Sequence, residues 1–503
     1  RAVGWAMTII ALVFIGYVFL GPYMPGILAH KGYSLERVVG QLYLTTEGIF
    51  GVPLGVAATY VFIFIVFGML LEATGAGKFF IDLAYAVAGR QRGGPAKASV
   101  VASGFMASLS GSAIANAVTT GAFTIPLMKK LGYKPKEAAG VEAAASTGGQ
   151  IMPPIMGAGA FLMAEYTGTP YLDIIKLALI PALLYFFTVY LFVDGIAGKR
   201  GMKGLPREEL PAIGQVLGHG WHFLLPLAVL IYYLISGVSP MRVGFVAIIA
   251  IVIASLFRAS SRLSPMQWLE AFERAARAAI PVSIACATAG IIVGVVGLTG
   301  LALKFSDLMI SFSGGIPLLM IFFIALASLV LGMGLPVTAS YVVLVVLAGP
   351  ALQDVGIVLI TAHMIVFWLS QDSNVTPPVA LAAYAAAGIA KAPPMASGVQ
   401  AWKFAKGLYL IPLLMVYAPG IMLQGETSDI IWDTLRSALA LTAFVGLLEG
   451  FFWSQVRPAE RVLLGVAGTC LFFPVLYAQL AGMGLIAVIL ALNFRQQAQL
   501  QTE

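Results

Sequence analysis

Apolar runs long enough to cross or enter a bilayer recur along the whole chain. They fall at 5–24, 54–71, 100–128, 138–164, 174–193, 223–235, 243–257, 279–303, 316–352, 357–390, 408–423, 438–452 and 462–492. A helical span needs roughly 20 apolar residues, and unpaired backbone is not tolerated in hydrocarbon, so such a chain folds as a bundle of membrane helices. Composition agrees: 60% of the 503 residues are hydrophobic and 10% charged, against about 25% charged residues in soluble domains. A cytosolic globule, a disordered chain and a nucleic-acid-binding domain are excluded. The 55 glycines and 27 prolines are too many for straight helices with short loops, so some spans are expected to be broken. Cys286 and Cys470 both lie in apolar stretches and are expected as buried small hydrophobes, with no disulfide framework or CxxC site.

The few basic residues set a topology, because Lys and Arg flanking spans concentrate on the cytoplasmic side. The stretch 100–128 is preceded by Arg90, Arg92 and Lys97 and followed by Lys129, Lys130, Lys134 and Lys136. Both ends are therefore cytoplasmic, and the chain must enter and return. Its middle is the small, polar run Ser110-Gly111-Ser112-Ala113-Ile114-Ala115-Asn116-Ala117-Val118-Thr119-Thr120-Gly121, which predicts a re-entrant hairpin with an irregular tip. The stretch 316–352 has no basic residue in either flank and carries Gly332-Met333-Gly334-Leu335-Pro336-Val337-Thr338-Ala339-Ser340, which predicts a second hairpin entering from the opposite face. This arrangement places 23 of the 29 Lys and Arg inside, the exceptions being Lys31, Arg37, Lys176, Arg242, Lys304 and Arg436. The net charge of +7 then reflects a cytoplasmic bias and not affinity for a polyanion.

Each hairpin is followed by a span interrupted at a polar segment ending in Pro-Pro. The first is Ala145-Ser146-Thr147-Gly148-Gly149-Gln150-Ile151-Met152-Pro153-Pro154 and the second Ser370-Gln371-Asp372-Ser373-Asn374-Val375-Thr376-Pro377-Pro378. Hairpin then broken span, twice and with opposite orientation, is the inverted repeat of secondary transporters, whose discontinuous helices meet near the midplane. Unwinding a helix frees carbonyls and amides. Those carbonyls with Ser, Thr, Asn and Asp oxygens suit a hard cation, and the positive end of a half-helix suits a carboxylate. Asp372 is the only formal charge in either break, and an ionisable group at that depth is a functional candidate. Asn116, Ser112, Thr147 and Thr338 are weaker candidates, since small polar residues also cement helix packing.

Other polar residues are expected in structural roles. Glu142, close to Lys134 and Lys136, is expected in an interfacial ion pair, His219 and His222 as interfacial anchors, and His363 as a packing histidine. Lys304 and Asp307 are expected to snorkel or pair at the outer surface. The stretches 267–277 and 400–406 read as amphipathic interfacial arms. Gly75-Ala76-Gly77-Lys78 has the outline of a phosphate loop, but Glu72 stands where the first glycine belongs and Phe79 where Ser or Thr is needed. No HExxH, nucleophile elbow or metal cluster appears, so the sequence supports neither ATP-driven transport by this chain nor an enzyme.

The segments 110–128, 141–154 and 332–340 resemble the signature of the tripartite ATP-independent periplasmic (TRAP) transporter permeases. The stretches Gly40 to Gly55, with Leu44-Thr45-Thr46-Glu47-Gly48, and Arg90-Gln91-Arg92-Gly93-Gly94-Pro95-Ala96-Lys97 resemble the large subunit of the TAXI branch, where small and large subunits are often fused. The resemblance covers about residues 1–424, with repeats at about 54–195 and 279–407, and leaves 425–503 as two to four accessory membrane helices. It implies an all-α polytopic permease of the bacterial inner membrane with two re-entrant hairpins and two broken helices, working as an elevator. It also implies uptake coupled to sodium ions, with the solute delivered by a periplasmic TAXI-type substrate-binding protein. Family sodium sites fall on Ser110, Gly111, Ser112, Asn116, Gly332, Gly334, Thr338, Asp372, Ser373 and Asn374, with the solute near Thr147, Gly148, Gly149, Pro153, Thr376 and Pro377. The implied solute is an organic anion, for which a dicarboxylate such as 2-oxoglutarate or glutamate is the expectation. Because the chain opens at Arg1, small-subunit-like helices are expected upstream or as a separate subunit. The alternative from another class is a channel with re-entrant pore loops.

Overall fold

The alternation of hairpin and broken span in the sequence recurs in the order of the helices. The computed structural model describes residues 5–502; Arg1 to Gly4, on which the expected upstream continuation rests, lie outside them. α1 (Trp5–Leu20) and α2 (Leu35–Tyr43) lead to α3 (Val52–Val56), which runs through a π turn into α4 (Phe62–Ala73), and α5 (Ala76–Ala88) follows. The first hairpin is α6 (Gly94–Ser110) with α7 (Ala113–Thr119) and α8 (Gly121–Lys130). The first broken span is α9 (Pro135–Gly149) and α10 (Ala158–Thr167), continued by α11 (Tyr171–Lys199). α12 (Ile213–Gly220), α13 (Leu224–Ile235), α14 (Pro240–Leu256) and the 35-residue α15 (Pro265–Thr299) connect the halves. α16 (Leu301–Ser313) precedes the second hairpin, α17 (Pro317–Gly332) and α18 (Val337–Asp354). The second broken span is α19 (Leu359–Leu369), a 3-10 turn at Ser370–Asn374 and α20 (Leu381–Ala390), then α21 (Pro394–Phe404) and α22 (Gly407–Tyr417). α23 (Thr427–Glu449), α24 (Pro458–Cys470) and α25 (Leu476–Thr502) form the tail. Eight helical segments among the described residues are long and apolar enough to cross a membrane, and no strand forms there beyond an isolated bridge, Phe451 to Gln455.

Two expectations change. The polar run at the first tip is almost wholly helical: only Gly111 and Ser112 separate α6 from α7. Gly111 takes a left-handed φ of 63°, which a glycine adopts without strain. Ser112 then caps α7 by accepting from the Ala115 amide at 3.3 Å, and the Thr119 hydroxyl bonds back onto its own helix instead of unwinding it. The amphipathic stretch 267–277 is likewise no separate arm. A capping box at Ser264 and Gln267 starts α15 there, and the helix runs on unbroken into the apolar span.

The two broken spans pack crosswise. α9 lies against α20 and α10 against α19, the pattern of two interrupted helices running antiparallel side by side. α9 also packs on α6, α7 and α8, while α18 and the 370–374 turn receive α17. Trp368, Tyr185 and Tyr341, fully buried, fill the space between them. At the basic face, Arg92 and Lys97 pair with Asp194, and Arg200 pairs with Glu137 at 2.5 Å; that carboxylate holds the Arg200 guanidinium above its usual range. The tail packs through α23 onto α11 and the 419–422 turn. Arg436 is buried there, paired with Asp433 at 2.7 Å and donating to the Tyr417 and Leu471 carbonyls. Glu449 at the other end of α23 accepts from Lys199 and Lys403.

Candidate functional site

The first break begins where α9 stops at Gly149 and ends at Gly157, where α10 starts. The second runs from Ser370 to Ala380. The Pro153–Pro154 and Pro377–Pro378 peptide bonds are both cis. Two residues after each pair stands a non-glycine residue in the left-handed region, Met156 at φ 64° and Ala380 at φ 41°. Such conformations cost about 1–3 kcal/mol and persist only where the surroundings impose them. Their recurrence at equivalent positions gives the two breaks one backbone course.

Each hairpin tip sits on the break of its own half. A side chain added at Gly111 would meet the Met156 carbonyl, and one added at Gly332 would approach the Ser373 Cβ at 2.8 Å and Asp372 Oδ1 at 3.4 Å. Gln150 then joins the halves. Its amide donates to the Gly111 carbonyl at 2.8 Å, and its oxygen accepts from Asn374 Nδ2 at 2.9 Å. Gln150 thus links one tip and both breaks. It stands in the quoted motif but among none of the residues singled out from sequence; the signal for it is a long polar side chain at the last turn before Pro-Pro.

Asp372 is buried, 1% exposed, and neither carboxylate oxygen has a hydrogen-bond partner. The nearby Ser328 hydroxyl donates to the Leu369 carbonyl at 2.9 Å instead. Gln371 Oε1 and Ser340 Oγ are also buried and unpartnered, as is Asn116 Oδ1 in the first half. The Asn116 amide is oriented by its other end, Nδ2 donating to Ser146 Oγ at 2.8 Å. Buried acceptors without donors are costly unless something outside the protein pairs with them.

The remaining sequence candidates have these positions. Ser110 ends α6 and Thr338 lies in the first turn of α18, both half-buried. Gly334, in the second tip, packs against Ala6 of α1. Ser373 and Asn374 are buried in the 3-10 turn beside Asp372. Thr147 donates to the Ala143 carbonyl of its own helix at 2.7 Å, Gly148 faces the Tyr185 ring, and Gly149 faces Ala107. Pro153 and Pro377 are half-buried, and Thr376 meets the Tyr409 hydroxyl at 2.5 Å. Beside Tyr409, the Lys406 ammonium lies over the Trp402 ring, 3.0 Å from its centroid.

Glu142 departs from the sequence expectation. It makes no interfacial ion pair; it is fully buried on α9, and the carboxylate that pairs at the start of that helix is Glu137. Five hydroxyls surround Glu142: Ser99 at 2.6 Å and Thr124 at 2.5 Å on Oε2, with Ser103 at 2.6 Å, Ser146 at 3.3 Å and Thr120 on Oε1. They come from α6, α8, α9 and the residue between α7 and α8, so the cluster ties both arms of the first hairpin to α9. His363 bonds to the Tyr341 hydroxyl at 2.8 Å, as a packing histidine does. Lys304 donates to the Ala29 carbonyl and not to Asp307.

Comparison with known proteins supplies the rest. The family model described as Tripartite ATP-independent periplasmic transporter, DctM component, matches residues 1–421. The 2,3-diketo-L-gulonate TRAP transporter large permease protein YiaN of Escherichia coli is 24% identical over 65% of this chain and 76% of its own length. The C4-dicarboxylate TRAP transporter large permease protein DctM of Vibrio cholerae is 29% identical over 41% of this chain and 44% of its own. The isethionate TRAP transporter permease protein DctMQ of Oleidesulfovibrio alaskensis is 30% identical over 33% and 26%. Among solved structures, the YdaH transporter of Alcanivorax borkumensis superposes with a TM-score of 0.54, covering 84% of this chain and 99% of that one at 17% identity. That likeness concerns the fold.

Proposed function

The chain belongs to the DctM component family of the TRAP transporters, multi-pass permeases of the bacterial inner membrane, and from that premise we propose that it imports an organic anion by sodium-coupled secondary transport. Asp372 carries the reading: a buried carboxylate with two unpartnered oxygens, set against a hairpin tip, calls for a cation. A sodium ion there would draw on Asp372, Ser373 and Asn374 of the break and on Gly332, Gly334 and Thr338 of the second tip. A second ion would use Ser110, Gly111, Ser112 and Asn116, the last with its free Oδ1. Oxygen donors and freed carbonyls are the chemistry such ions take.

The solute lies between the breaks, near Thr147, Gly148, Gly149, Pro153, Thr376 and Pro377, with Lys406 a cation at that end. The names of the relatives support an anion: a diketogulonate, C4-dicarboxylates and isethionate. A C4 or C5 dicarboxylate, 2-oxoglutarate or glutamate, is the proposed solute, delivered by a periplasmic substrate-binding protein. The proposal places the chain in the TAXI branch, with small-subunit-like helices upstream in the same protein or in a separate subunit. Both hairpins and both broken spans move together as an elevator against α1–α5 and α12–α16.

The test is uptake of labelled dicarboxylate into proteoliposomes with purified binding protein. Uptake is expected only with an inward sodium gradient and the binding protein present. Downhill flux indifferent to both would overturn the reading in favour of a channel.

A further inference from the structure

Lys403 and Lys406 stand three residues apart at the end of α21, and the fold treats them differently. Lys403 is paired with Glu449. Lys406, in the turn between α21 and α22, has neither a carboxylate within 4 Å nor a hydrogen-bond partner for its ammonium among the described residues. The side chain is half-buried, with Nζ 3.0 Å from the centroid of the Trp402 ring and 5.7 Å from that of Tyr409. Stacking on an indole face offsets part of the lost hydration but leaves the charge unneutralised. A lysine that only snorkelled would carry its ammonium out to water. This one is turned onto two aromatic rings.

Tyr409 connects Lys406 to the second break. Its hydroxyl and that of Thr376 lie 2.5 Å apart. The pair holds two protons, of which one closes the bond between them and the other is left to donate. The Asp372 carboxylate is within electrostatic reach of the Tyr409 hydroxyl. A sodium ion on Asp372 neutralises that carboxylate, and the charge of Lys406 then faces the break uncompensated. Thr376, 7% exposed, forms the inner end of this cluster, whereas Trp402, 41% exposed, forms a rim that a solute can reach. Hydroxyls at one end and an unpaired ammonium at the other fit a molecule with an anionic group at each end. A monoanion would leave one of the two unmatched.

We propose that this cluster sets the charge selectivity of the solute site: the Thr376–Tyr409 hydroxyls take one carboxylate of a dicarboxylate, and Lys406, resting on Trp402, takes the other. The inference rests on the reading of Thr376 and Pro377 as part of the solute site. The test measures binding of labelled 2-oxoglutarate and 2-oxopentanoate, which differ by a terminal carboxylate in place of a methyl group. Equilibrium dialysis with the purified full chain in detergent and saturating sodium gives both affinities. Wild type is expected to bind 2-oxoglutarate about tenfold more tightly than 2-oxopentanoate, the worth of one hydrogen bond between charged groups. Lys406→Met, which keeps the aliphatic stem without the charge, is expected to bind the two alike, and Lys406→Arg to retain the preference. Lys406→Gln carries the comparison should Lys406→Met fail to give a monodisperse protein. No binding of 2-oxoglutarate by wild type, equal binding of the two probes by wild type, or an undiminished preference in the neutral variants would overturn the proposal. If the binding pattern holds while proteoliposomes show no sodium-driven uptake, the transport reading fails and the charge-selective site stands.

Discussion

Glu142 in the first half is enclosed by the hydroxyls of Ser99, Ser103, Thr120, Thr124 and Ser146, whereas Asp372 in the second half is as deeply buried with neither oxygen partnered. The same functional group at similar depth thus meets opposite surroundings. Removing a carboxylate from water is expensive, and hydrogen-bond donors offset the expense only if the protein supplies them. For Glu142 it supplies five, all from elements that the carboxylate thereby holds together. For Asp372 no donor reaches hydrogen-bonding geometry: the Ser373 amide and the Ser328 hydroxyl are near, and Ser328 spends its proton on a carbonyl. A satisfied carboxylate acts on the fold; the unsatisfied one is where the proposed cation would sit.

Three substitutions try this contrast. Asp372→Asn is expected to lower sodium-driven uptake about 100-fold, the loss of one charged ligand in a buried site. Its melting temperature in sodium-free buffer should equal or exceed that of wild type, because an uncompensated charge is gone. A large fall in that melting temperature would show that Asp372 is paired within the fold. Glu142→Gln should do the reverse, lowering stability by about 2–4 kcal/mol because the hydroxyls lose their charged acceptor. The apparent sodium affinity of the protein that remains folded should hardly move. Equal melting of Glu142→Gln and wild type would erase the contrast. Gln150→Ala, which removes both bonds bridging the halves, is expected to cost about 1–3 kcal/mol in thermal unfolding. It should also slow uptake while leaving its sodium dependence intact, and unchanged uptake would remove Gln150 from the coupling of the two breaks.

The frame of the molecule was legible because it rests on patterns a sequence carries locally. The small, polar runs at 110–121 and 332–340 marked where one helix turns into the next, and the two Pro-Pro segments marked the breaks that the structure sets side by side. Asp372 stood out as a lone charge in apolar surroundings. Glu142 lies near Lys134 and Lys136 along the chain, but helical facing, and not that nearness, decides its partners. Ser99 and Ser103, Thr120 and Thr124, and Glu142 and Ser146 are three pairs at i,i+4 spacing, each presenting two oxygens on one helix face. That periodicity was the available signal. Gln150 bonds to Asn374, 224 residues away, and no local pattern predicts such a partner. Nor does sequence announce the left-handed Met156 and Ala380, since neither is a residue that favours that region.

The anchoring of the tail has a mechanical corollary. α23 lies along α11, Glu449 is clamped by Lys199 at the end of α11 and by Lys403 of α21, and Arg436 grips the Tyr417 carbonyl at the end of α22. All three partners belong to the chain that leads out of the two breaks. Whatever shift α11, α21 and α22 undergo, the tail helices ride with them, and the wetted perimeter that drags through lipid grows accordingly. A fluorophore on the outer face of α24 would report any displacement of α11, α21 and α22, read without a label anywhere near Asp372.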